Sequence, residues 1–255
     1  MAKHGSRWKT VWVTGASSGI GLELVKLLNP KAGRVAISAR SAEKLEELAI
    51  GLDCVQAFPL DVTDAEAVAD CVGMIEADGG IDLAVLNAGV WQLMDAADLD
   101  LEAVRTAMDV NYMGVVNAVD ALLPGMLERG HGHIAIVASV AGYRGLPKAV
   151  AYGPTKAALI NLAETLRSEL APRGITISLV CPGFVDTPMT QDNPFPMPAM
   201  ISAREAAQRL LYGLEHGDYE IIFPRRFVYA TKFLRLVPNA VFFWIVRTFI
   251  RTSAT

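Results

Sequence analysis

Cysteine is scarce in this chain of 255 residues, and the few copies are scattered. The three cysteines are Cys54, Cys71 and Cys181, and no two of them form a CxxC pair. The usual sign of a zinc or thiol redox motif is therefore missing. The histidines show no metal-ligand spacing either, so we expect no bound metal. A reduced, cytoplasmic setting is the simplest interpretation.

Long apolar runs and an excess of positive charge are also absent. The composition is 52% apolar and 20% charged with a net charge of −4, which suits a soluble globular protein with a large core. The negative balance argues against wholesale binding of nucleic acid. Residues 1–9 carry charges without an apolar stretch, so we expect no signal peptide.

A glycine-rich turn, Thr14–Gly21, follows the apolar stretch Thr10–Val13 and precedes a helical pattern. Strand, glycine turn and helix are the context that a dinucleotide-binding fingerprint requires, although a purely structural turn can look similar. The spacing lacks the Gly-Lys-Ser/Thr of a P-loop, which argues against nucleoside triphosphate chemistry. Residues expected to hold a dinucleotide here are Gly15, Ser17, Ser18, Gly19, Ile20 and Gly21.

The second predicted strand, Arg34–Arg40, ends where such a fold contacts the adenosine ribose. An acid at this place would accept hydrogen bonds from both ribose hydroxyls and repel a 2′-phosphate. Because Arg40 stands there instead, the charge favours NADP(H) as cofactor. A solvated loop arginine is the alternative interpretation.

Strands and helices alternate along most of the chain. The remaining strands are predicted at Cys54–Phe58, Ile81–Leu86, His133–Ser139 and Tyr219–Phe223. The predicted helices include Ser41–Ile50, Thr63–Ala77 with Thr63 as its N-cap, and Leu101–Arg129. This order predicts an α/β fold: one doubly wound Rossmann domain with a parallel sheet of about seven strands and helices on both faces. We assign residues 1–224 to this domain and residues 225–255 to a C-terminal helical extension.

Polar and small residues follow several of these strands, at the edge where a site is expected. Asp61 and Val62 would border the adenine, Asn87, Ala88 and Gly89 would let the backbone approach the cofactor, and Ser139 ends the fifth strand. Tyr152 and Lys156 are four residues apart, so a helix would place them on one face. Pro154 permits that helix only if it begins just before Tyr152. Each feature taken alone also has a structural explanation.

Together these motifs resemble the short-chain dehydrogenase/reductase family in its short form. The matching residues occur in family order from about residue 9 to residue 223: Thr14–Gly21, Asp61, Val62, Asn87–Gly89, Asn111, Ser139, Tyr152, Lys156 and Pro182–Thr187. The resemblance implies an NADP(H)-dependent oxidoreductase that interconverts a carbonyl and a secondary alcohol. It also implies a set of roles for individual residues.

In that resemblance Tyr152 is the general acid, Ser139 orients the substrate oxygen and Asn111 holds a water that connects Lys156 to solvent. Lys156 also binds the nicotinamide ribose, and Thr187 binds the carboxamide. An ammonium about 4 Å from a phenol, at an effective dielectric of ~20, is worth roughly 4 kcal/mol. We therefore expect Lys156 to lower the pKa of Tyr152 by up to about 3 units. Further cofactor contacts are implied for Pro182, Gly183, Val185 and Thr187.

The stretch from Pro182 to Met200 is broken by prolines and rich in methionine and phenylalanine. A long loop at the carboxyl edge of the sheet is a plausible lid, and its apolar side chains suggest an apolar substrate. Substrate-lining candidates are Trp91, Phe184 and Met189.

The C-terminal segment departs from the family pattern. No acidic residue follows Glu220, whereas Arg225, Arg226, Lys232, Arg235, Arg247 and Arg251 are interleaved with aromatics. The apolar run Ala240–Val246 is too short for a spanning helix, which needs ~20 residues. We expect two short helices separated by Pro238. Two such helices fit a position at a membrane surface. They fit equally well as a cover over the substrate pocket or as part of a subunit interface.

Three further interpretations remain open. The first is nucleotide-sugar epimerisation or dehydration, which related longer chains perform with an additional C-terminal substrate domain, and this chain has little room for one. The second and third are a non-catalytic NADP(H) sensor and a membrane-surface scaffold. The presence of Ser139, Tyr152 and Lys156 argues against both, because neither role needs these side chains. The resemblance to the family also implies a second copy of the chain as partner, paired through the helices Leu101–Arg129 and Val150–Pro172, in a homodimer or homotetramer.

Overall fold

A seven-stranded sheet organises the molecule, whose computed structural model describes residues 7–191 and 193–250. The strands of the chain are β1 (Thr10–Thr14), β2 (Arg34–Ser38), β3 (Val55–Ala57), β4 (Leu83–Leu86), β5 (Gly132–Val137), β6 (Ile175–Pro182), β7 (Val185–Asp186), β8 (Ile201–Ser202) and β9 (Glu220–Phe223). Seven of them pair in the order β3-β2-β1-β4-β5-β6-β9, and every pairing is parallel. The strands β7 and β8 form a separate small ladder.

Helices cover both faces of this sheet. They are α1 (Gly19–Leu28), α2 (Ala42–Ile50), α3 (Ala65–Glu76), α4 (Leu101–Met108), α5 (Gly114–Arg129), α6 (Tyr152–Leu170), α7 (Ala203–His216), α8 (Arg225–Phe233) and α9 (Asn239–Ile245). Successive residues of β1 point to opposite faces: Trp12 packs with the core of α3, α5 and α6, whereas Val11 and Val13 pack with that of α1, α2 and α7. The predicted doubly wound α/β fold is therefore confirmed.

The strand order reverses at β1, which has β2 on one side and β4 on the other. In an open parallel sheet the ligand crevice lies outside the carboxyl ends of the strands at this switch point. The glycine turn leaves β1 there, and Asn87 leaves β4 beside it. The fold thus brings two of the predicted motifs together.

Three details differ from the sequence prediction. Strand β6, which the sequence analysis does not assign, fills the gap between β5 and β9. The cap of α3 is Asp64, which accepts a hydrogen bond from the Ala67 N–H, whereas Thr63 donates to Asp61 instead. The expected single helix over 101–129 is interrupted by a π-helical turn, Asp109–Met113.

The C-terminal extension begins directly after β9. Helices α8 and α9 are separated as predicted around Pro238, and Val228 of α8 is fully buried in the core. Lys232 makes an ion pair with Glu220, which ties α8 to β9. Arg251 lies outside the described residues. Within 7–191 and 193–250, no helix combines the length and the apolar character needed to cross a bilayer.

Candidate active site

The glycine turn packs tightly against the loop that follows β4. Gly15 has a φ of +66°, and a Cβ on it would lie 2.9 Å from the backbone of Ala88. A Cβ on Gly21 would lie 2.4 Å from the carbonyl oxygen of Gly15. Side chains at these two positions would therefore collide with backbone, which explains why glycine is required.

Asn87 and Thr14 hold this turn in shape. The Thr14 hydroxyl accepts the backbone N–H groups of Asn87 and Ala88 at 3.0 and 3.1 Å. The Asn87 amide donates to the carbonyls of Thr14 and Gly15, each at 3.2 Å. Ser18, the N-cap of α1, makes no side-chain cap bond, so it leaves helix N–H groups unsatisfied by a cap. Small residues and a free helix N-terminus fit the pyrophosphate of a dinucleotide.

One cavity of about 800 Å³ extends from this turn across the carboxyl ends of the strands. A volume of this size lies within the range of ligand and cofactor sites. Gly21 and Asn111 do not line the cavity and lie behind it. The predicted residues that line it are Gly15, Ser17, Ser18, Gly19, Ile20, Arg40, Asp61, Val62, Asn87, Ala88, Gly89, Trp91, Ser139, Tyr152, Lys156, Pro182, Gly183, Phe184, Val185, Thr187 and Met189.

The far end of the cavity carries one cation and one carboxylate. Arg40 follows β2 and is exposed, and Asp61 follows β3 on the same rim. The pKa of Asp61 is lowered, chiefly because the backbone N–H of Thr63 donates to it and to a smaller extent because Arg40 lies near. Arg40 forms no ion pair within 7–191 and 193–250, which leaves its guanidinium available to a ligand.

Tyr152, Lys156 and Ser139 meet near the middle of the cavity. Helix α6 begins at Tyr152, so Pro154 falls in the first turn as the sequence requires. The Lys156 Nζ lies 5.4 Å from the centroid of the Tyr152 ring and donates to the Val137 carbonyl at 2.9 Å. The Ser139 hydroxyl accepts the N–H of Ala141 at 3.2 Å, which fixes its position at the end of β5.

The expected low pKa of Tyr152 is not found in this structure. Burial raises the pKa of Tyr152 to about 12, and interaction with the Ser139 hydroxyl offsets only part of that rise. Burial also lowers the pKa of Lys156 to about 8. The prediction counted the attraction between ammonium and phenolate but not the desolvation of both groups, and desolvation dominates here.

Asn111 is fully buried in the π-helical turn and acts as a link between two elements. Its amide nitrogen donates to the Val90 carbonyl at 3.0 Å and to the Thr155 hydroxyl at 3.1 Å, and its oxygen accepts the Val90 N–H at 2.7 Å. These bonds match the structural explanation of this residue. Its role in a proton relay stays a prediction.

The other half of the cavity is aromatic. The Trp91 ring meets the Tyr152 ring edge to face at 4.9 Å, and its Nε1 donates to Asn193 at 2.9 Å. The Phe184 ring lies 6.1 Å from that of Phe195 and 5.4 Å from that of Phe227. The loop after β7 therefore forms part of the cavity wall, and its action as a lid stays a prediction.

Many residues that line the cavity were not singled out as site residues from the sequence, Asn193 and three residues of α8 and its end among them. Asn193 carries no motif. Phe227, Thr231 and Leu234 line the cavity from α8 and its C-terminal end. Their spacing of four and three residues places them on one helix face, which was the available signal. The sequence left three positions open for the tail: a membrane surface, a subunit interface and a cover over the substrate pocket. The structure shows that α8 covers part of the cavity.

Among the described residues, no three His, Cys, Asp or Glu side chains are grouped so that they could hold a metal ion. His133 lies in β5, where its Nε2 is 2.8 Å from the Ser178 hydroxyl, and it is buried far from Tyr152 along the strand. Burial lowers the pKa of His133 to about 4. His133 is therefore a structural residue.

Comparison with known proteins places this geometry in a family. The short chain dehydrogenase model matches residues 9–195. An uncharacterized oxidoreductase of Myxococcus xanthus is 37% identical over 92% of this chain and 95% of its own length. An uncharacterized oxidoreductase of Staphylococcus epidermidis is 34% identical over 83% of this chain and 93% of its own length.

Solved structures agree. A short-chain dehydrogenase from Streptomyces avermitilis superposes with a TM-score of 0.79 at 25% identity, over 94% of this chain and 96% of that one. A second short chain dehydrogenase/reductase family protein gives 0.72 at 32% identity, over 80% of this chain and 88% of that one. The chain belongs to the short-chain dehydrogenase/reductase family, and it is an oxidoreductase of that family.

Proposed function

We propose that this protein uses NADP(H) to interconvert the carbonyl and secondary-alcohol forms of an apolar substrate, with Tyr152 as general acid and base. The observation that carries the proposal is the position of Tyr152. It lies between the glycine-turn end of one continuous cavity and the aromatic end, where Trp91 and Phe184 stand. A bound cofactor and an apolar ketone would therefore both reach the phenol.

The residues have separable parts in this reaction. When bound, the nicotinamide supplies a hydride to the carbonyl carbon or accepts one from the alcohol. Ser139 donates a hydrogen bond to the substrate oxygen, and Tyr152 gives that oxygen its proton. The Tyr152 phenolate left behind is stabilised by the Lys156 ammonium, and solvent returns the proton. Burial raises the pKa of Tyr152 to about 12, so the phenol is protonated at neutral pH and can act as the acid in the reduction step.

The preference for NADP(H) over NAD(H) is inferred from Arg40. Its guanidinium stands on the rim without an ion-pair partner in the described chain and suits a 2′-phosphate. Asp61 lies on the same rim, at the place expected for the adenine rather than the ribose. We also infer assembly as a homodimer through the faces of α4, α5 and α6, where Leu101 is 62% exposed.

The test is NADPH oxidation, followed by absorbance, with a panel of ketones and aldehydes that increase in apolar bulk. We expect turnover with NADPH that rises with substrate bulk and is much weaker with NADH. NADPH binding without turnover on any member of the panel would contradict the proposal and favour a sensor.

A further inference from the structure

Exposed aromatic side chains are concentrated in the C-terminal tail. Within 7–191 and 193–248, five phenylalanine, tyrosine or tryptophan side chains are exposed, and only Tyr212 lies outside the tail. In the tail, Phe233 is 61% exposed and Leu236 is 79% exposed. We define the tail surface by its exposed apolar residues Tyr229, Phe233, Leu236, Val241, Phe243 and Trp244. An apolar group of this size on one short segment indicates an interaction site.

Every charged residue of the segment 225–250 is a cation. Arg225, Arg226, Arg235 and Arg247 are exposed, and none of them has a carboxylate partner within the described chain. The single cation of this segment that is paired, Lys232, binds Glu220. No acid follows Glu220, whereas the chain before Arg225 carries a net charge of −10. The tail therefore complements an anionic partner.

Both tail helices are anchored at the same place on the domain. Tyr143 donates to Glu220 at 2.9 Å, and the cations of Lys232 and Arg235 lie 5.9 Å from its ring. The next residue, Arg144, donates to Asn239 at 2.7 Å and stacks on Phe242 at 4.4 Å. Because adjacent residues of one loop hold α8 and α9, we infer that the exposed residues of the two helices lie near each other.

Helix α8 contacts the cavity with one set of residues and exposes another set to solvent. Phe227, Thr231 and Leu234 line the cavity, whereas Arg226, Tyr229 and Phe233, spaced by three and four residues, are exposed. The cavity-lining residues and the exposed residues of α8 therefore lie on different faces of a helix that is about 10–12 Å thick with its side chains. What binds the tail surface is therefore close to the aromatic end of the cavity.

We propose that the tail surface docks on an anionic phospholipid bilayer, with its aromatics among the headgroups and its arginines on the lipid phosphates. A second copy joined tail to tail is the less favourable occupant, because it would bring together two sets of arginines that have no carboxylate partner within the described chain. Aromatic and aliphatic residues beside arginine are typical of segments that lie in the bilayer interface. If the proposed function is also correct, an apolar substrate enters the cavity from the bilayer, past α8.

The experiment is sedimentation of the full chain with vesicles, without cofactor or substrate. We compare vesicles of phosphatidylcholine alone with vesicles that contain equal phosphatidylglycerol. We expect binding only to the anionic vesicles and release at high salt, because the arginine contacts are screened. Binding that is equal for both vesicles, or absent from both, would overturn the proposal.

Two matched pairs of variants locate the contact. Each arginine near an anionic surface contributes about fivefold to partitioning, so R225Q/R226Q is expected to weaken binding about 25-fold. The control R173Q/R204Q removes two exposed arginines elsewhere. F233S/L236S is likewise expected to lose binding, whereas I50S/M74S, at two other exposed apolar residues, retains it. Controls that bind as weakly as the tail variants would contradict the proposal.

Two further outcomes are distinguishable. Self-association in sedimentation velocity that F233S/L236S abolishes, without vesicle binding by the wild type, would assign the tail surface to a second copy and overturn the proposal. Vesicle binding by a protein that turns over no ketone would support the docking and contradict the proposed function alone. The readout does not depend on catalysis.

Discussion

The two halves of the cavity are built in different ways. The cofactor half is made of strand ends and the N-terminus of α1, with Gly15, Asn87 and Thr14 bonded through backbone atoms. The aromatic half is made of side chains from the loop after β7 and from α8. Backbone geometry allows few residue types, whereas an apolar wall accepts many. This difference explains why one half has a motif and the other has none.

The largest effect is expected where the halves meet, at Tyr152. Tyr152→Phe removes the proton donor and keeps the ring that contacts Trp91. Turnover is expected to fall about a thousandfold, within the range that general acids contribute. NADPH affinity, measured by fluorescence titration, is expected to stay unchanged. Tyr143→Phe serves as the control, because Tyr143 bonds to Glu220 outside the cavity. Turnover retained in Tyr152→Phe would contradict its role as acid.

Arg40 tests the cofactor half. A hydrogen bond to a charged group is worth about 1.5–3 kcal/mol. Arg40→Asp is therefore expected to weaken the binding of NADPH roughly 10- to 100-fold. NADH binding is expected to improve, because the new carboxylate can accept from the ribose hydroxyls. The measurement is kcat/KM for each cofactor, with Arg173→Asp as an exposed control. An unchanged ratio would show that Arg40 is a solvated loop residue.

The pH dependence of reduction follows from the pKa of Lys156. Lys156 is cationic below its pKa of about 8, and the reaction needs that charge, so the rate is retained below this pH and lost above it. Tyr152, with its pKa raised to about 12, stays protonated throughout. We expect a roughly tenfold lower rate at pH ~9 than at pH ~7. Lys156→Arg keeps its charge and is expected to lose this decline. A wild-type reduction rate that is the same below and above this pKa would contradict the role given to the Lys156 charge.

The smallest effect is expected in the aromatic half. Phe227→Ala trims one wall of the cavity. We expect the KM of bulky apolar ketones to rise roughly fivefold, which corresponds to about 1 kcal/mol, and the KM of acetone to change little. Phe243→Ala, at a residue 57% exposed, is the control. Equal effects of the two substitutions on KM would mean that α8 does not contact the substrate.

The fold was predictable to the extent that its signals are local. Apolar strands, the glycine turn and the Tyr152–Lys156 spacing act over a few residues, and their positions agree with the sheet and with α6. The cap of α3 was misplaced by one residue because Thr63 and Asp64 are both good caps. The π-helical turn at Asn111 follows from packing between distant elements, which leaves no local pattern.

Electrostatics was predictable only in part. The sequence places an ammonium near a phenol, but the pKa of Tyr152 depends on how deeply the folded chain buries both groups. The tail shows the same limit. Its helical spacing indicated an amphipathic segment, yet only the three-dimensional structure shows that Phe227, Thr231 and Leu234 face the cavity.

The most direct measurement follows a labelled hydride. NADPH deuterated at the transferred position is incubated with an apolar ketone and the wild type, Tyr152→Phe or Tyr143→Phe, and the alcohol is analysed by mass spectrometry. We predict one deuterium at the carbinol carbon with the wild type and with Tyr143→Phe, and only a trace of product with Tyr152→Phe. A labelled product formed at equal rate by all three would contradict the central role given to Tyr152.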